Sequence, residues 1–365
     1  MKKIKLRLNQ FFTIIKFFFV KLIYNKIINT NKYKQVWLIC ERGDEAKDNG
    51  YIFFEYLCNN HPEIDARYVI SKTSADLKNI VNKDKIVYYQ SISHIQMFIQ
   101  AKYLISTHIM GFSPEFRAFS KLCKKFSFFE GKGKKIFLQH GIIYNFLPSL
   151  RNLNLDLFIT SAEKEQKFII ETCNYNDTIV KCTGLARYDK LIGKTKNFIL
   201  IMPTWRSDLF YATEEEFKQT EYFNKWNEVI NNPNIHQLLK ENKIKIYFYP
   251  HYEIQRFINC FNINNPNIIV ANSDKYQISS LLRECKMMIT DYTSASFDVS
   301  YMKKPLIFYQ FDYNDFYTKH YKEGYMTMKK DGFGLVTDNI DKLLCELEKI
   351  INNNFHFYKL IISLF

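Results

Sequence analysis

The chain alternates short runs of β-forming residues with longer segments of helical spacing, and it does so in two successive series. Strands of this length that alternate with helices are typical of βαβ units, which build parallel sheets. The series restarts after Lys194, so the pattern predicts two α/β halves that meet near residue 195. The predicted strands are 36–40, 66–70, 85–88, 102–106, 135–138, 155–160, 178–182, 197–202, 245–249, 267–270, 286–289 and 306–309. The predicted helices are 49–60, 74–81, 91–100, 162–172, 221–231, 234–241, 255–261, 276–283 and 294–302.

Composition and motif content restrict what such a chain does. Of its 365 residues, 47% are hydrophobic and 24% are charged, which is typical of globular domains and excludes disordered, collagenous and coiled-coil classes. Neither half carries the glycine-rich fingerprint of a dinucleotide site or of a P-loop. Two doubly wound halves place strand carboxyl ends and helix N-termini around a shared cleft, where we expect a phosphorylated ligand. No closely spaced set of metal ligands is visible, so no metal is predicted.

The positive charge is concentrated at the N-terminus. The net charge is +14, and residues 1–34 hold nine basic side chains and no acidic one. A nucleic-acid-binding protein more often carries its charge on the folded body, so no nucleic-acid partner is predicted. Lysines interrupt the apolar segment 6–28, which argues against a transmembrane helix. The apolar stripe predicts instead a helix that lies on an anionic membrane surface, the alternative being an ordinary first helix packed on the body. The stripe consists of Phe11, Ile14, Ile15, Phe18 and Leu22.

A histidine follows one predicted strand in each half. His140 precedes Gly141 directly after the strand 135–138, and His251 follows the strand 245–249. Histidine is the side chain best matched to proton transfer near neutral pH. A single histidine in a turn is often without a role, but matching positions in two halves favour a functional pair.

Two further loops carry groups that suit a phosphate. Thr204 and Arg206 follow the strand 197–202, and a guanidinium makes bidentate contacts with phosphate. The alternative for Arg206 is an interdomain salt bridge. The second loop follows the strand 286–289, and its hydroxyl groups either cap the next helix or hold a phosphate together with free backbone N–H groups. Its candidate ligand-binding residues are Thr290, Asp291, Thr293, Ser294 and Ser296.

Taken together, the motifs resemble those of the CDP-glycerol glycerophosphotransferase family, the polymerases and primases of teichoic acids and related capsules. They stand in the family's order over about residues 36–336. Thr293 departs from the serine usual in the family, and His251 lies in a Pro-His-Tyr sequence instead of the commoner His-Pro. The motifs are ERGDEAKDNG (41–50), FLQHG (137–141), TGLARYD (183–189), MPTWR (202–206), YPH (249–251), ITDYTS (289–294) and FD (297–298).

The resemblance implies a GT-B-like fold of two Rossmann-like domains that face a cleft, with no cofactor and no metal. It implies transfer of glycerol phosphate or ribitol phosphate from CDP-glycerol or CDP-ribitol to a hydroxyl of a lipid-linked or polymeric glycan, with release of CMP. By this resemblance His140 is the general base, and His251 lies near the donor phosphates. The segment 290–296 grips the donor, while Gly141 and Arg187 lie in matched motifs and are predicted to contact substrate. The family also implies peripheral attachment to the cytoplasmic face of the membrane.

The predicted organisation has four parts. A basic membrane-association arm at 1–34 precedes an acceptor-side domain at 35–194, a CDP-alditol-binding domain at 195–352 and an atypical tail at 353–365. Two other functions stay open from the sequence. One is a GT-B glycosyltransferase that uses a nucleotide sugar, and the other is a catalytically inactive membrane scaffold of the same fold.

Overall fold

The computed structural model describes residues 2–24, 32–272 and 274–356, apart from the side chains of residues 2–6, 23 and 24. These residues form two compact units. The first comprises Met1–His140 and Leu150–Arg187, and the second comprises Gly141–Ser149 and Tyr188–Phe365. Most of the predicted tail, from 357 onward, and residues 25–31 of the predicted arm lie outside the described residues. That the two domains face a shared cleft stays a prediction.

The first unit is built on a seven-stranded sheet in which every strand pair is parallel. The strand order is β3-β2-β1-β4-β5-β6-β7, which is the order of a Rossmann-type doubly wound sheet. Its strands are β1 (Trp37–Cys40), β2 (Ala66–Ile70), β3 (Ile86–Tyr88), β4 (Tyr103–Ser106), β5 (Lys134–Phe137), β6 (Leu157–Thr160) and β7 (Val180–Cys182). Its helices are α1 (Lys2–Phe19), α2 (Asn49–Asn60), α3 (Ile92–Gln100), α4 (Phe116–Lys125) and α5 (Glu163–Cys173).

The second unit repeats this architecture with a six-stranded parallel sheet of order β10-β9-β8-β11-β12-β13. Its strands are β8 (Phe198–Met202), β9 (Lys245–Phe248), β10 (Ile268–Val270), β11 (Met287–Thr290), β12 (Leu306–Tyr309) and β13 (Leu335–Thr337). Its helices are α6 (Glu214–Lys218), α7 (Glu221–Ile230), α8 (Pro233–Glu241), α9 (Ile278–Glu284), α10 (Ala295–Tyr301), α11 (Tyr313–Lys319), α12 (Met328–Asp331) and α13 (Ile340–Asn352).

The apolar runs of the second unit explain why its sheet is parallel. All four residues of β11 and all four of β12 are buried, as are the first four of β8. A strand that is buried on both faces needs a layer of helices on each side, and βαβ crossovers supply those layers. The fully buried Trp226 and Phe217 fill the space between sheet and helices. This construction brings the carboxyl ends of the strands to one edge of the sheet, where loops carry function.

Helix α1 packs on the first unit through one of its faces. That face behaves as the alternative prediction expects, namely as part of an ordinary first helix. Phe17 of α1 and Val20, directly after its end, are fully buried, and the Phe17 ring meets Phe119 edge to face at 5.1 Å between centroids. Burial of one such side chain contributes about 1.5–3 kcal/mol. The predicted stripe lies mainly on the opposite side, because four of its five members are exposed. No helix in the described part of the chain combines the length and the hydrophobicity that crossing a membrane requires.

Candidate active site

Three neighbouring strands of the first unit end where candidate functional side chains lie. Strand β4 pairs with β1 on one side and with β5 on the other. The loop after β1 leads to Asp48 at the start of α2, His108 follows β4, and His140 follows β5. Because parallel strands end at the same edge of a sheet, residues distant in sequence become neighbours there.

His140 and Asp48 form a hydrogen-bonded pair through the Nδ1 atom of the imidazole. A carboxylate only accepts hydrogen bonds, so Nδ1 carries a proton whether the ring is neutral or charged, and in the neutral ring the lone pair is on Nε2. The His140 side chain is 59% exposed, whereas that of Asp48 is 8% exposed. The pair therefore consists of an accessible imidazole held by a buried carboxylate, which is the arrangement that a general base requires.

Arg187 supports both members of this pair. Its guanidinium lies 3.2 Å from the second oxygen of Asp48 and also donates to the backbone carbonyl of His140. Burial alone would raise the pKa of Asp48, but the hydrogen bond and charge of His140 and the charge of Arg187 outweigh it, so that this pKa lies well below its ordinary value. Arg187, predicted to contact substrate, therefore has a demonstrated contact with the pair.

His108 is the neighbour that the sequence reasoning missed. Its ring centroid lies 4.5 Å from that of His140, and its Nδ1 is 2.9 Å from the hydroxyl of Thr107. Burial, with a smaller effect from the His140 charge, lowers the pKa of His108 to about 2, so this ring is neutral. The available signal was its position shortly after a predicted strand, as for His140.

The same cluster holds the one group of potential metal ligands found in the described part of the chain. Ligand atoms of Asp48, His108 and His140 lie within 4.8 Å of one another. However, Asp48 already bonds directly to His140, and the Arg187 guanidinium contacts the same carboxylate. A fixed positive charge at that position opposes a second cation, so these residues fit a proton-transfer pair better than a metal site.

Glu41 is a fully buried carboxyl group next to the His140–Asp48 pair. It accepts hydrogen bonds from the backbone N–H groups of Asp48 and Tyr51, both at 2.9 Å, and of Lys47 at 3.2 Å. Burial and the nearby charge of Asp48 raise the pKa of Glu41 to about 8 in spite of these donors. Glu41 thus joins the loop after β1 to the first turn of α2, where Asp48 must be held.

In the second unit, Arg206 lies in a buried ion-pair network. Its guanidinium donates to Asp291 at 2.8 Å, to Asp312 at 2.7 and 3.0 Å, and to the carbonyls of Thr204 and Trp205 at 2.7 and 3.4 Å. These five contacts use all five N–H groups of an arginine. The structure therefore favours a salt-bridge role for Arg206 over the predicted phosphate contact, and the ion pairs lie within the second unit instead of joining two domains.

In the predicted phosphate-binding loop, residues 290–296, most polar side chains form hydrogen bonds within the second unit. The hydroxyl of Thr290 donates to the Met202 carbonyl at 2.6 Å, and that of Ser296 donates to the Thr293 carbonyl at 2.7 Å. Asp291 is fully buried and accepts from the Thr204 N–H at 2.8 Å. The partly exposed residues of the predicted set in this unit are Gly141, Thr204, His251, Thr293 and Ser294, although the hydroxyl oxygen of Thr204 is itself buried.

His251 belongs to an aromatic cluster in the second unit. Its ring stacks on Trp205 with an interplanar angle of 17° and a centroid distance of 5.8 Å. The His320 ring meets Trp205 edge to face at 4.9 Å. Both ring nitrogens of His320 are buried without a hydrogen-bond partner among the described residues, and burial lowers its pKa to about 4. Trp205 thus contacts both His251 and a second histidine, His320, that sequence reasoning did not select.

Solved structures with a similar fold support the architecture described above. The chain matches the wall teichoic acid polymerase TagF with a TM-score of 0.67 at 17% identity, over 96% of this chain and 90% of that one. It matches the UDP-GlcNAc 2-epimerase of Methanocaldococcus jannaschii with a TM-score of 0.51 at 12% identity, over 89% and 94% of the two chains. At such identities the likeness shows the fold, which is the α/β architecture of GT-B-like proteins.

Among proteins with this GT-B-like fold, sequence comparison identifies the family to which the chain belongs. The profile described as CDP-Glycerol:Poly(glycerophosphate) glycerophosphotransferase matches residues 21–363, so the chain belongs to this family of transferases. The resemblance predicted from the motifs is thereby confirmed. The chain is 32% identical over 337 residues to the minor teichoic acid biosynthesis protein GgaB of Bacillus subtilis (strain 168), covering 88% of this chain and 36% of that protein.

A second relative is matched over a shorter region. The chain is 26% identical over 224 residues to the teichoic acid poly(glycerol phosphate) polymerase of Bacillus spizizenii, covering 60% of this chain and 54% of that protein. The chain spans about a third to about a half of the length of these two relatives.

Proposed function

We propose that the chain transfers glycerol phosphate or ribitol phosphate from a CDP-alditol to a hydroxyl of a lipid-linked or polymeric glycan, with release of CMP. The observation that carries the proposal is the His140–Asp48 pair, in a chain of the glycerophosphotransferase family. Related proteins are described both as glycerol-phosphate and as ribitol-phosphate polymerases, so the choice of alditol is left to experiment.

The reaction requires that an acceptor hydroxyl lose its proton as it attacks phosphorus. His140 Nε2 takes that proton, while Asp48 holds Nδ1–H and balances the charge of the imidazolium. The acceptor oxygen forms a new bond to the phosphorus that bears the alditol, and the bond from that phosphorus to the CMP oxygen breaks. CMP departs with the bonding electron pair, and His140 then returns its proton to solvent or to CMP.

Donor binding is assigned to the second unit. His251, Thr293 and Ser294 are the proposed contacts to the donor phosphates, because their side chains are partly exposed at the ends of β9 and β11. Arg206, Asp291, Thr290 and Ser296 support that loop from the inside through the hydrogen bonds described above. Fixed hydrogen-bond donors of this kind stabilise the negative charge that develops in phosphoryl transfer. We propose no metal at this site.

The N-terminal helix is proposed to attach the protein peripherally to the cytoplasmic face of an anionic membrane. Phe11 and Phe12 are 59% and 55% exposed although α1 packs on the first unit through its other side. An apolar face of this kind beside basic residues suits the interface of an anionic bilayer. Sedimentation with vesicles of anionic and of neutral lipid tests this, with Phe11→Ser/Phe12→Ser as the variant and Tyr56→Ser, a helix residue that is 50% exposed, as the control.

The decisive experiment measures donor breakdown by the purified full chain. The protein is incubated with CDP-glycerol, with CDP-ribitol or with a nucleotide sugar, each with a lipid-linked acceptor, and the released nucleotide is identified. We expect CMP from one CDP-alditol and none in the His140→Ala variant, while His61→Ala, an exposed histidine outside the cluster, behaves as the parent. Release of a nucleoside diphosphate from the sugar would identify a glycosyltransferase, and release from no donor would identify a scaffold.

A further inference from the structure

Asn49 uses both ends of its side-chain amide to join two loops of the first unit. Its Nδ2 donates to the Gln139 carbonyl at 2.8 Å, and its Oδ1 accepts from the Arg187 backbone N–H at 2.8 Å. The residue is the first of α2, directly after Asp48, and is fully buried. One buried amide therefore ties the chain segments that carry His140 and Arg187, the two residues that contact Asp48.

The peptide that Asn49 holds is in an unusual conformation. Gln139 has a φ of 47°, in the left-handed region that residues with a Cβ atom rarely adopt. Such a backbone persists where surrounding contacts over-determine it, and it is found preferentially at functional sites. Here the Gln139 carbonyl is held by Asn49, and its side-chain Nε2 donates to the buried Glu165 at 3.2 Å.

The position of this strained residue gives it a direct effect on the base. Gln139 immediately precedes His140, so its dihedral angles determine where the His140 Cα–Cβ bond points. The exposed imidazole contacts the ring of His108 on one side, and its bond to Asp48 requires that the backbone aim it at that carboxylate. Its geometry toward Asp48 therefore depends on the backbone behind it, and that backbone depends on Asn49.

We propose that Asn49 is a positioning residue that keeps His140 Nδ1 on Asp48 by holding the Gln139 and Arg187 loops together. The inference rests on the proposed function, in which His140 accepts the acceptor proton. Asn49 itself touches neither substrate nor the reacting atoms. Its loss should lower turnover and leave donor affinity unchanged, because donor binding is assigned to the second unit.

The test variant is Asn49→Asp, which is nearly isosteric, keeps an acceptor for the Arg187 N–H and replaces the donor to Gln139 by a second acceptor. Asn60→Asp is the matched control, since Asn60 ends the same helix, is exposed, and donates to the Tyr56 carbonyl at 3.0 Å. We expect turnover with a CDP-alditol to fall at least tenfold in Asn49→Asp, with an unchanged Kd for CDP-glycerol by calorimetry. Asn60→Asp should match the parent in both.

A spectroscopic measurement separates the inference from the proposed function. In the parent, the His140 Nδ1 proton bonded to Asp48 should give a downfield imidazole N–H resonance, assigned by its loss in His140→Ala. We expect this resonance to weaken or shift in Asn49→Asp and to persist in Asn60→Asp, whether or not the parent consumes a CDP-alditol. If Asn49→Asp fails to fold, Asn49→Ser undergoes the same two measurements.

Two results would overturn the inference. One is a folded Asn49 variant with parental turnover and an unchanged resonance, which would show that His140 is positioned without the amide. The other is a loss of turnover matched by an equal loss of CDP-glycerol affinity or by partial unfolding, which would make Asn49 a general structural residue. If the parent transfers no alditol phosphate while the resonance responds as expected, the proposed function fails and the positioning role stands.

Discussion

The two units each contain a buried arginine–carboxylate pair at strand ends, and the pairs differ in the exposure of the third group that they hold. In the first unit Asp48 is shared by Arg187 and His140, and the His140 side chain is 59% exposed. In the second unit Arg206 is shared by Asp291 and Asp312, and these three side chains are 7%, 0% and 10% exposed. Burial alone would lower the pKa of Arg206, but the two carboxylates raise it above its ordinary value.

The comparison shows that similar arginine–carboxylate pairs serve different purposes, depending on whether the group they hold is buried or exposed. An arginine whose five N–H groups all bond to the chain holds two loops together and has no donor left for a ligand. A carboxylate that bonds to an exposed imidazole leaves one ring nitrogen available for proton transfer. We therefore expect substitutions in the second network to affect stability first, and substitutions in the first to affect the reaction first.

The largest effect is expected for Arg206→Met. This change leaves Asp291 and Asp312 buried without their partner, which typically costs about 3–5 kcal/mol in the free energy of unfolding. Urea unfolding measures the loss, and Lys319→Met, which removes an exposed partner of Asp315, serves as the control with little change. Parental stability together with lost CDP-glycerol affinity would contradict this and restore the phosphate contact predicted from the sequence.

His140→Ala should lower turnover about 100-fold or more, the usual size of a general-base effect. Because the side chain is exposed, we expect thermal stability and CDP-glycerol affinity to be unchanged. Calorimetry and single-turnover kinetics check the three quantities, with His61→Ala as the control. A variant that turns over as the parent does would remove His140 from the reaction.

Asp48→Asn should reduce turnover by about tenfold or more, because an amide neither fixes the Nδ1 proton nor balances the imidazolium charge. In the His140→Ala background the same change should add little, since residues that act as one unit are not additive. The double-mutant cycle is the measurement. Equal effects of Asp48→Asn in both backgrounds would show that Asp48 acts independently of His140.

The last prediction concerns Glu41 and the pH dependence of stability. Because burial and Asp48 raise its pKa to about 8, the folded state keeps this proton between about pH 5 and pH 8, whereas the unfolded state loses it. The contribution of Glu41 to stability therefore falls as pH rises through this range. We expect Glu41→Gln to gain stability relative to the parent from pH 5 to pH 8 in urea unfolding, and parallel curves would contradict the raised pKa.

A comparison of the predicted helices and strands with the observed ones shows where sequence reasoning works. The predicted helix 49–60 coincides with α2, and the predicted helices near 221–231 and 234–241 correspond to α7 and α8, because each has a clear helical period. Thr220 and Asn232 also cap α7 and α8 through their side chains. The segment predicted as a helix at 74–81 forms a short 3₁₀ helix, Ala75–Asn79. Strand β13 and helix α13 were not predicted, although Asn339 caps α13 by accepting from the Lys342 N–H.

By itself the sequence determined the two parallel sheets and the placement of His140 after a strand, because hydrophobic period and strand-end residue type are local properties of the chain. Only the tertiary structure decided that Asp48, 92 positions away, would hold His140, and that Asp312, 106 positions away, would help to enclose Arg206. The physical reason is that strand order selects distant partners, and burial sets whether a charge is available to a ligand or is used within the fold. No local pattern encodes either quantity.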